Sequence, residues 1–498
     1  MNNISLAIAI YLSPRLPFYY GWVVVFAAGT TVFARMAPSV SILAIFLSPM
    51  TEEFGWSRTL IAGAVSVGAI ASIFVSPVIG WAVDRYGARL ILSVSMVILG
   101  VAVTSLAWAT VPAFFYLGFA TGRVIFHVPV QIGSGAVVSR WFIRKRGRAI
   151  GVIYLAGAAG NILGIQIASL VISHWSIGAA WIALGITVVA VSVLPAALLI
   201  VERPEDLGLE PDGLPPNSAI TPGAKTVEPQ APPSKGEVDW TLREAMGTKS
   251  LWVLTGVVGA LFLIQAGVSV HIGAFFLDRG LSLTLVATAI TINGIVNAIG
   301  SLVWGAAIER IPVRWAMGFL MVLTAGSTMA LLSVHSVIAA FAVSAVIGIV
   351  GSGGNVIPPV AYASYFGRRS IGSIRGIGET GVQIGQTIGP LDETFRKFGG
   401  INGTLGETWS WVVGLIAVVL ALWALWSSRR NKVNHGFHVK PVWAEVLVGL
   451  IIAVGILGFV AILNAYEVPT ARLMREFKAR GDVMPEGYTA SYGIPYSV

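Results

Sequence analysis

Residues 80–89 read G-W-A-V-D-R-Y-G-A-R and separate two long apolar stretches of the chain. A pattern of the form G-x-x-x-D-R-x-G-x-R is typical of a charged hairpin that closes one apolar helix and opens the next. Gly80 allows the close approach of a neighbouring helix. Asp84, Arg85 and Arg89 supply charged groups that are stable in water and beside lipid phosphates. We therefore place residues 80–89 at a membrane surface, between two helices.

The same hairpin pattern occurs again in residues 305–314, which read G-A-A-I-E-R-I-P-V-R. Its glycine, its acid and its two arginines follow those of the first hairpin at one offset of 225 residues; they are Gly305, Glu309, Arg310 and Arg314. The basic stretch W-F-I-R-K-R-G-R that begins at Trp141 likewise matches Y-F-G-R-R-S-I-G from Tyr365. The sequence thus predicts two copies of one ancestral unit.

The composition predicts an integral membrane protein. Charged residues make up 11% of the chain and hydrophobic residues 56%, with a mean hydropathy of +0.81, whereas about 25% of the residues in a soluble domain are charged. Apolar runs of the ~20 residues that cross ~30 Å of hydrocarbon occur about six times before residue 201, about six times in 249–427 and once near 442–464. Because these runs are continuous rather than alternating, they exclude a β-barrel.

The charges and the absent cysteines set further limits. The net charge of +9 arises in short loops between spans, so the positive-inside rule explains it better than nucleic-acid binding. Five Lys and Arg residues in 140–148 predict that this loop is cytoplasmic, and residues 1–14 are expected to be a short cytoplasmic lead. We therefore expect a multi-pass protein of the cytoplasmic (inner) membrane with a cytoplasmic N-terminus. With no cysteine, the chain has no disulfide and no thiol chemistry.

We predict an all-α integral membrane fold of two six-helix bundles related by pseudo-twofold symmetry. Six is an even number of spans, so the two copies have the same orientation, as in transporters with parallel repeats. The predicted segments are an N-terminal bundle in 1–200, a cytoplasmic linker in 201–247, a C-terminal bundle in 248–428 and an extension in 429–498. The extension is expected to contain a thirteenth transmembrane helix; an interfacial hairpin is the alternative.

The two repeats, the central hydrophilic loop and the paired hairpins resemble the major facilitator superfamily. Within it, Y-Y-G-W-V-V-V at 19–25, F-G-W-S-R at 54–58 and the basic motif after span four resemble the monocarboxylate and oxalate/formate porter branch. The resemblance covers about residues 18–427 and implies the transport of small organic anions by alternating access, with protons or by exchange. It also implies that Asp84 and the arginines of its hairpin latch the cytoplasmic ends in the outward-facing state.

The eighth helix departs from that resemblance. Mammalian-type members carry an Asp and an Arg one turn apart there, whereas this chain offers Asn293, Asn297 and Ser301 at the matching positions. The substrate-binding arginine of the family therefore cannot be carried over. A substrate anion must bind another cation in this protein.

Arg35 is the first candidate for that cation. It lies 15 residues after Tyr20 in the first span, roughly 22 Å along a helix that rises 1.5 Å per residue. Because a charge in hydrocarbon is costly, an ionisable side chain at that depth suggests function. The alternative is that the span begins later and that Arg35 lies near its outer end.

Span four supplies the second cation, in the sequence G-R-V-I-F-H-V-P-V-Q. Arg123, His127 and Gln131 follow one another at intervals of four residues, so they project from one face of a helix. A guanidinium binds carboxylate through two parallel hydrogen bonds, and His127 could carry a proton near physiological pH. The alternative is a structural cluster in which Arg123 satisfies helix-end carbonyls and His127 is a hydrogen-bonded packing residue.

The second repeat offers mainly neutral polar groups. Their amides could orient a substrate or join neighbouring helices, and the sequence leaves both roles open for Gln265, Asn293, Asn297, Asn355 and Gln383. Glu379 lies one turn after Arg375. We favour a local ion pair for Glu379, with proton coupling as the alternative.

No enzyme signature occurs in the sequence. The stretch G-S-G-G-N from Gly351 lacks the Lys-Ser/Thr ending of a phosphate loop, and there is no H-E-x-x-H motif or acidic metal cluster. We expect a transporter without enzymatic activity or cofactor, whose partners are a small organic anion, membrane lipid and, as a candidate, protons. The alternatives are an exporter of a neutral or amphipathic compound and a non-transporting sensor or subunit that docks a partner through its C-terminal tail.

Overall fold

The computed structural model of the protein describes residues 2–213, 240–332 and 334–388. In these ranges the secondary structure consists of α-helices, short 3₁₀-helices and one π-helical turn, which confirms the predicted all-α class. The predicted twelfth and thirteenth spans, the whole of 429–498 and the middle of the predicted linker lie outside the described residues.

The first described range forms ten α-helices. A π-helical turn, Val189–Val193, joins the last two into one span. The helices are α1 Asn2–Leu12, α2 Gly21–Ala34, α3 Val40–Phe54, α4 Arg58–Tyr86, α5 Ala88–Ser105, α6 Pro112–His127, α7 Pro129–Trp141, α8 Arg146–His174, α9 Ile177–Val188 and α10 Leu194–Leu199.

The remaining described ranges form six more. They are α11 Leu242–Met246, α12 Lys249–Asp278, α13 Leu283–Ala307, α14 Val313–Leu332, α15 Val337–Phe366 and α16 Ile371–Ile388. Across the described ranges, eight helical segments are long and apolar enough to cross a membrane: Leu60–Tyr86, Ala88–Trp108, Pro112–Trp141, Arg146–His174, Ile177–Leu199, Lys249–Gly273, Leu283–Ala307 and Val337–Phe366. They correspond to predicted spans two to eight and ten.

The predicted first span is broken rather than continuous over 20–46. α2 ends at Ala34, residues 35–38 form turns, and α3 begins after Ser39, whose Oγ accepts a hydrogen bond from the Ile42 backbone N–H at 3.3 Å. Pro38 has no N–H with which to continue the helix. The break places Arg35 at the C-terminal end of a half-helix.

The predicted fourth span is broken as well. α6 ends at His127 and α7 begins at Pro129, while Val128 between them has φ −107° and ψ −74°. The proline disfavours the helical conformation in the residue before it and removes one backbone hydrogen bond. An unpredicted break in the helix therefore interrupts the regular spacing of Arg123, His127 and Gln131.

The described chain forms two compact units. Unit 1 comprises the described residues within 1–259, 301–313 and 355–387, and unit 2 comprises those within 260–300 and 314–354 together with residue 388. The core of unit 2 contains Phe276, Val286, Ala330 and Val343. Both broken spans and both hairpin acids lie in unit 1. The predicted boundaries of the two bundles and the linker stay a prediction.

Candidate functional site

The guanidinium of Arg35 lies at the break in the fourth span. Its Nη1 donates to the backbone carbonyl of Phe126 at 2.9 Å and to Gln131 Oε1 at 2.6 Å. The last carbonyls of a helix lack intrahelical partners, so Arg35 satisfies one that the break exposes. The residue is 6% exposed, and its Nε has no hydrogen-bond partner among the described residues.

Arg123 makes the reciprocal contact, reaching the break in the first span. Its Nη1 lies 3.5 Å from the carbonyl oxygen of Pro38, and its Nη2 lies 2.7 Å from His127 Nε2. Because a guanidinium only donates hydrogen bonds, His127 accepts through Nε2 and its imidazole is neutral. Arg123 is also 6% exposed, and its Nε is unpartnered within the described chain.

The ring of Phe126 contacts both guanidiniums. The guanidinium carbon of Arg35 lies 4.8 Å from the ring centroid, and that of Arg123 lies 4.9 Å from it. The His127 ring packs edge-on against the same phenyl group, with the two ring centroids 4.8 Å apart. An aromatic face attracts cations without removing their charge, so Phe126 stabilises the two arginines and leaves them cationic.

Helix α16 brings a second group of buried polar residues to unit 1. Gln383 Nε2 donates to Glu379 Oε1 at 3.1 Å, and both side chains are buried. Arg375, one turn earlier in α16, is also buried, and its Nη1 lies 3.5 Å from the Ile132 carbonyl oxygen. Among the described residues Glu379 binds Gln383; the ion pair with Arg375 and the proton-coupling role stay predictions.

This cluster of buried charges has an excess of positive charge. It contains Arg35, Arg123 and Arg375 as cations, Glu379 as its acid and a neutral His127. Within the described ranges no carboxylate lies within ion-pair distance of the Arg35 or Arg123 guanidinium. Buried charge without a counter-charge is costly, and an anion that entered the cluster would relieve that cost.

The predicted amides of unit 2 bind neighbouring backbone. Gln265 Nε2 donates to the Val350 carbonyl at 3.1 Å, and Asn293 Nδ2 donates to the Ser344 carbonyl at 3.1 Å. Asn297 packs against Gly351 of α15. These contacts are those of amides that join helices, which was one of the two predicted roles.

Asn355 lies half-buried in α15, in unit 1. A substrate role for Asn355 and the unit 2 amides stays a prediction.

The first hairpin acid caps the N-terminus of α16. Asp84 Oδ1 accepts from the Gly372 N–H at 2.9 Å, and its Oδ2 accepts from the Ser373 N–H at 2.6 Å. A carboxylate at this position is favoured by the unpaired N–H groups and by the helix dipole. Arg140 at the end of α7 adds an ion pair at 3.1 Å. Gly80 lies one turn earlier, where a Cβ would come within 2.5 Å of the Gly372 carbonyl oxygen.

The second hairpin acid does the same for α8. Glu309 Oε1 accepts from the Arg148 N–H at 3.1 Å, and its Oε2 pairs with Arg148 Nε at 2.7 Å. A Cβ on Gly305 would lie 2.6 Å from the Gly147 carbonyl oxygen. We call the α4–α16 contact the first seam and the α13–α8 contact the second seam. Partners in the two seams differ by the same 225 positions as the hairpins do.

The arginines of the two hairpins contact aromatic rings and a carboxylate of their own surroundings. A latch role for them stays a prediction. Arg85 lies over the rings of Trp81 and Tyr86, and Arg89 binds Glu202 through its backbone N–H at 2.8 Å. In the second copy, Arg310 is exposed and Arg314 lies over the Trp315 ring at 6.0 Å.

The arginine that pairs with Asp84 is Arg140, which also binds Glu202 at 2.7 Å. Sequence reasoning counted Arg140 among the basic loop charges; its place at the end of an apolar span was the available signal.

The beginning of the predicted linker is folded against the loop after α7. Asp212, at φ 60°, accepts hydrogen bonds from the backbone N–H groups of residues 143–145 at 2.8 to 3.1 Å. Tyr19 Oη donates to the Glu210 carbonyl at 3.0 Å. Burial, together with the carboxylates of Asp212 and Glu205, raises the pKa of Tyr19 above its usual range, so the phenol stays protonated as a donor.

The end of the linker is capped in a similar way. Thr241 and Glu244 form a reciprocal capping box at the start of α11, and the Trp240 N–H donates to the Phe366 carbonyl at 3.1 Å. The backbone and hydroxyl of Thr241 lower the pKa of Glu244. Among the described residues, no three His, Asp or Glu side chains could together hold a metal ion.

A family model described as Major Facilitator Superfamily matches residues 22–390 and, in a second match, 257–474. Curated relatives match over shorter lengths. A probable chloroplastic anion transporter 4 of Arabidopsis thaliana is 26% identical over 29% of this chain and 28% of its own. An uncharacterized MFS-type transporter, YcxA of Bacillus subtilis, is 26% identical over 39% of this chain and 46% of its own. The chain thus spans less than half the length of these relatives.

Solved structures show the fold over most of the chain. The proton:xylose symporter XylE has a TM-score of 0.58 at 13% identity and covers 82% of this chain and 95% of its own. The human organic anion transporter MFSD10 has a TM-score of 0.60 at 15% identity and covers 80% of this chain and 99% of its own. Since the family model covers more than half of the sequence, this chain belongs to the Major Facilitator Superfamily and is a multi-pass membrane protein of that fold.

Proposed function

We propose that this protein is a secondary active transporter that moves a small organic anion, either a monocarboxylate or a short dicarboxylate, by alternating access. The observation that carries the proposal is the pair of buried guanidiniums, Arg35 and Arg123, which bind only neutral groups among the described residues. A carboxylate is the ligand that a guanidinium fork fits best. The names of the Arabidopsis anion transporter 4 and of MFSD10 agree with an anionic substrate.

The site lies where two transmembrane spans are broken. In transporters, the free backbone groups of discontinuous helices bind substrates near the middle of the membrane. Here Arg35 and Arg123 occupy the carbonyls that the breaks expose, at Phe126 and Pro38. A substrate carboxylate that took over part of these hydrogen bonds would couple binding to movement of the half-helices.

The two seams would act as the cytoplasmic gate. In each seam a helix of one repeat packs against a helix of the other, with the acids Asp84 and Glu309 capping the partner helix. The basic loop 140–148 beside them supports a cytoplasmic position by the positive-inside rule. With both seams closed, the substrate site opens to the outside. The protein would lie in the inner membrane, with its N-terminus in the cytoplasm.

Proton coupling would involve His127, with Glu379 as the second candidate. A third positive charge beside Arg35 and Arg123 is unfavourable unless an anion is present. His127 would therefore take up a proton together with the substrate. Its Nε2 could then no longer accept the hydrogen bond from Arg123 Nη2, and that bond would break. This order of events corresponds to symport of an anion and a proton.

Replacing Arg123 by Gln tests the proposal. The full-length protein is reconstituted in liposomes, and uptake of radiolabelled butyrate and succinate is measured. Because hydrogen bonds to charged groups contribute about 1.5–3 kcal/mol, we expect Arg123→Gln to lower the uptake of the transported acid roughly tenfold or more. Arg58→Gln, which removes an exposed arginine of the same repeat, is the matched control and should leave uptake unchanged. Equal uptake by Arg123→Gln and wild type would overturn the proposal.

A further inference from the structure

We propose that Phe126 makes this site selective for an organic dianion, because it holds two guanidiniums as two separate anion-binding groups. The inference rests on the proposed transport of an organic anion and names the class of that anion. Its basis is the arrangement around one residue, whose carbonyl accepts from Arg35 and whose ring contacts both Arg35 and Arg123.

The buried charges of the cluster do not balance. The cluster holds three buried arginines and one buried glutamate, and among the described residues no carboxylate lies within ion-pair distance of Arg35 or Arg123. A monocarboxylate would neutralise one of them and leave the other buried and unpaired, which is the costly arrangement. A dianion neutralises both.

The ring of Phe126 sets the separation of the two cations. Each guanidinium carbon lies within 4.9 Å of the Phe126 ring centroid, so the two carbons are at most about 10 Å apart. Like charges repel, yet here both are attracted to one aromatic group. The ring thus fixes the interval between two binding groups, and a short chain with a carboxylate at each end can contact both.

Both arginines have a donor without a partner. The Nε of Arg35 and the Nε of Arg123 are buried without a partner within the described ranges, although such groups are normally hydrogen-bonded. Each Nε–H is therefore a donor from which a carboxylate could accept. Since the unpartnered Nε groups occur on both arginines, the site offers two such donors rather than one.

Matched acids and matched variants test this inference. Succinate and butyrate have the same four carbons but differ in carrying two carboxylates or one, and malonate and glutarate extend the series. Dissociation constants are measured by calorimetry at pH 7.5 on the purified full-length protein. The variants are Phe126→Leu and, as the control for loss of an aromatic ring from the same helix, Phe119→Leu, whose buried ring stacks on Phe115.

We expect the wild-type protein to bind succinate at least about tenfold more tightly than butyrate. In Phe126→Leu this ratio should fall to within about threefold, because the two cations lose their common anchor, whereas Phe119→Leu should keep it. A ratio of dissociation constants is insensitive to a general loss of stability, so a weakly folded variant still gives an answer.

Three outcomes would overturn the inference. The first is equal affinity of the wild type for succinate and butyrate, and the second is an unchanged ratio in Phe126→Leu. The third is that none of the three dianions binds; if butyrate binds in that case, the proposed anion transport stands and only the selectivity is wrong. The two hypotheses are separated by Arg123→Gln, since unchanged affinity for every acid in that variant removes the proposed function itself.

Discussion

Arg35 and Arg123 each bind the backbone at the break in the other's span. This reciprocity links the two breaks, so that neither half-helix can shift without changing the hydrogen bonds of an arginine. Buried guanidiniums tied to neutral carbonyls are held less strongly than those in ion pairs. A substrate carboxylate can therefore compete for them.

Both arginines could be predicted from the sequence, because a charge inside an apolar run is conspicuous and costly. Phe126 could not, since a phenylalanine in an apolar helix looks the same whether it packs against lipid or holds two cations. The role of Arg140 was equally hidden. Its partner Asp84 lies 56 positions away in the chain, and no local pattern brings the two together.

Replacing His127 separates substrate binding from proton coupling. In His127→Gln the amide oxygen can still accept from Arg123, but the side chain can no longer take up a proton. We expect succinate or butyrate affinity to stay within about threefold of wild type, while stimulation of uptake by an inward proton gradient disappears. The measurement is uptake into liposomes with and without the gradient.

His127→Leu is the companion variant, because it also removes the acceptor and should weaken binding itself. Continued stimulation by the gradient in His127→Gln would exclude His127 as the proton carrier and leave Glu379 as the remaining candidate.

At the scale of elements, the broken spans are the feature that hydropathy does not reveal. Apolar residues run through both breaks, so a window of about 20 residues reports one continuous span. Pro38 and Pro129 were the available signals, but proline is tolerated in many transmembrane helices. The prolines therefore do not by themselves reveal that α2 ends at Ala34 and α6 at His127.

The predicted linker is a second element that the sequence described only in part. Its hydrophilic composition suggested solvated chain, yet residues 204–213 contain two short 3₁₀ turns, and Asp212 in the second turn binds the loop after α7. Asp212 is a non-glycine residue at positive φ, a conformation that costs about 1–3 kcal/mol and persists only when its surroundings fix it. Here three backbone N–H groups do so.

Asp212 is therefore expected to respond differently to two substitutions. Asp212→Asn keeps one carbonyl oxygen as acceptor and should destabilise the protein by about 1 kcal/mol, whereas Asp212→Ala loses all three hydrogen bonds and should cost about 3 kcal/mol. The melting temperatures of the two detergent-purified variants show which substitution destabilises the protein more. Glu210→Ala, which removes an exposed side chain of the same segment, is the control. If both Asp212 variants melt like this control, the segment does not depend on Asp212.

At the scale of the whole molecule, the 225-residue offset of the hairpins predicted more than a repeat. It predicted which positions are equivalent, and the structure places the equivalent residues in equivalent contacts: Gly80 with Gly372, and Gly305 with Gly147. The offset could not predict the partner of each hairpin. That partner is the N-terminus of a helix in the other repeat, which is close to the hairpin only in the folded protein.

The seams lead to a prediction about closure. In Gly80→Ala the new Cβ would lie 2.5 Å from the Gly372 carbonyl oxygen and 2.9 Å from the Gly376 Cα. Backbone must therefore move, and such overpacking costs about 1–3 kcal/mol. We expect a lower melting temperature and greater exposure of the first seam. Because the chain contains no cysteine, a single Ser373→Cys change reports that exposure through its rate of maleimide labelling.

Gly326→Ala in α14 is the matched control, since a Cβ there meets no atom within 4 Å. Alanine favours a helix over glycine by about 1 kcal/mol, so this variant should melt at the wild-type temperature or above. Equal melting temperatures and labelling rates for Gly80→Ala and Gly326→Ala would show that the first seam tolerates a side chain.

The paired seams also bear on how such a chain could arise. If the two repeats were separate polypeptides, α4 against α16 and α8 against α13 would be one self-complementary interface of a symmetric homodimer, with every contact made twice. A substitution in that half-length ancestor would have altered both contacts at once. Gene duplication and fusion would remove that constraint. The partners of Asp84 are Arg140 and two N–H groups, whereas the partner of Glu309 is Arg148. Such a difference is what independent divergence of the two copies would produce.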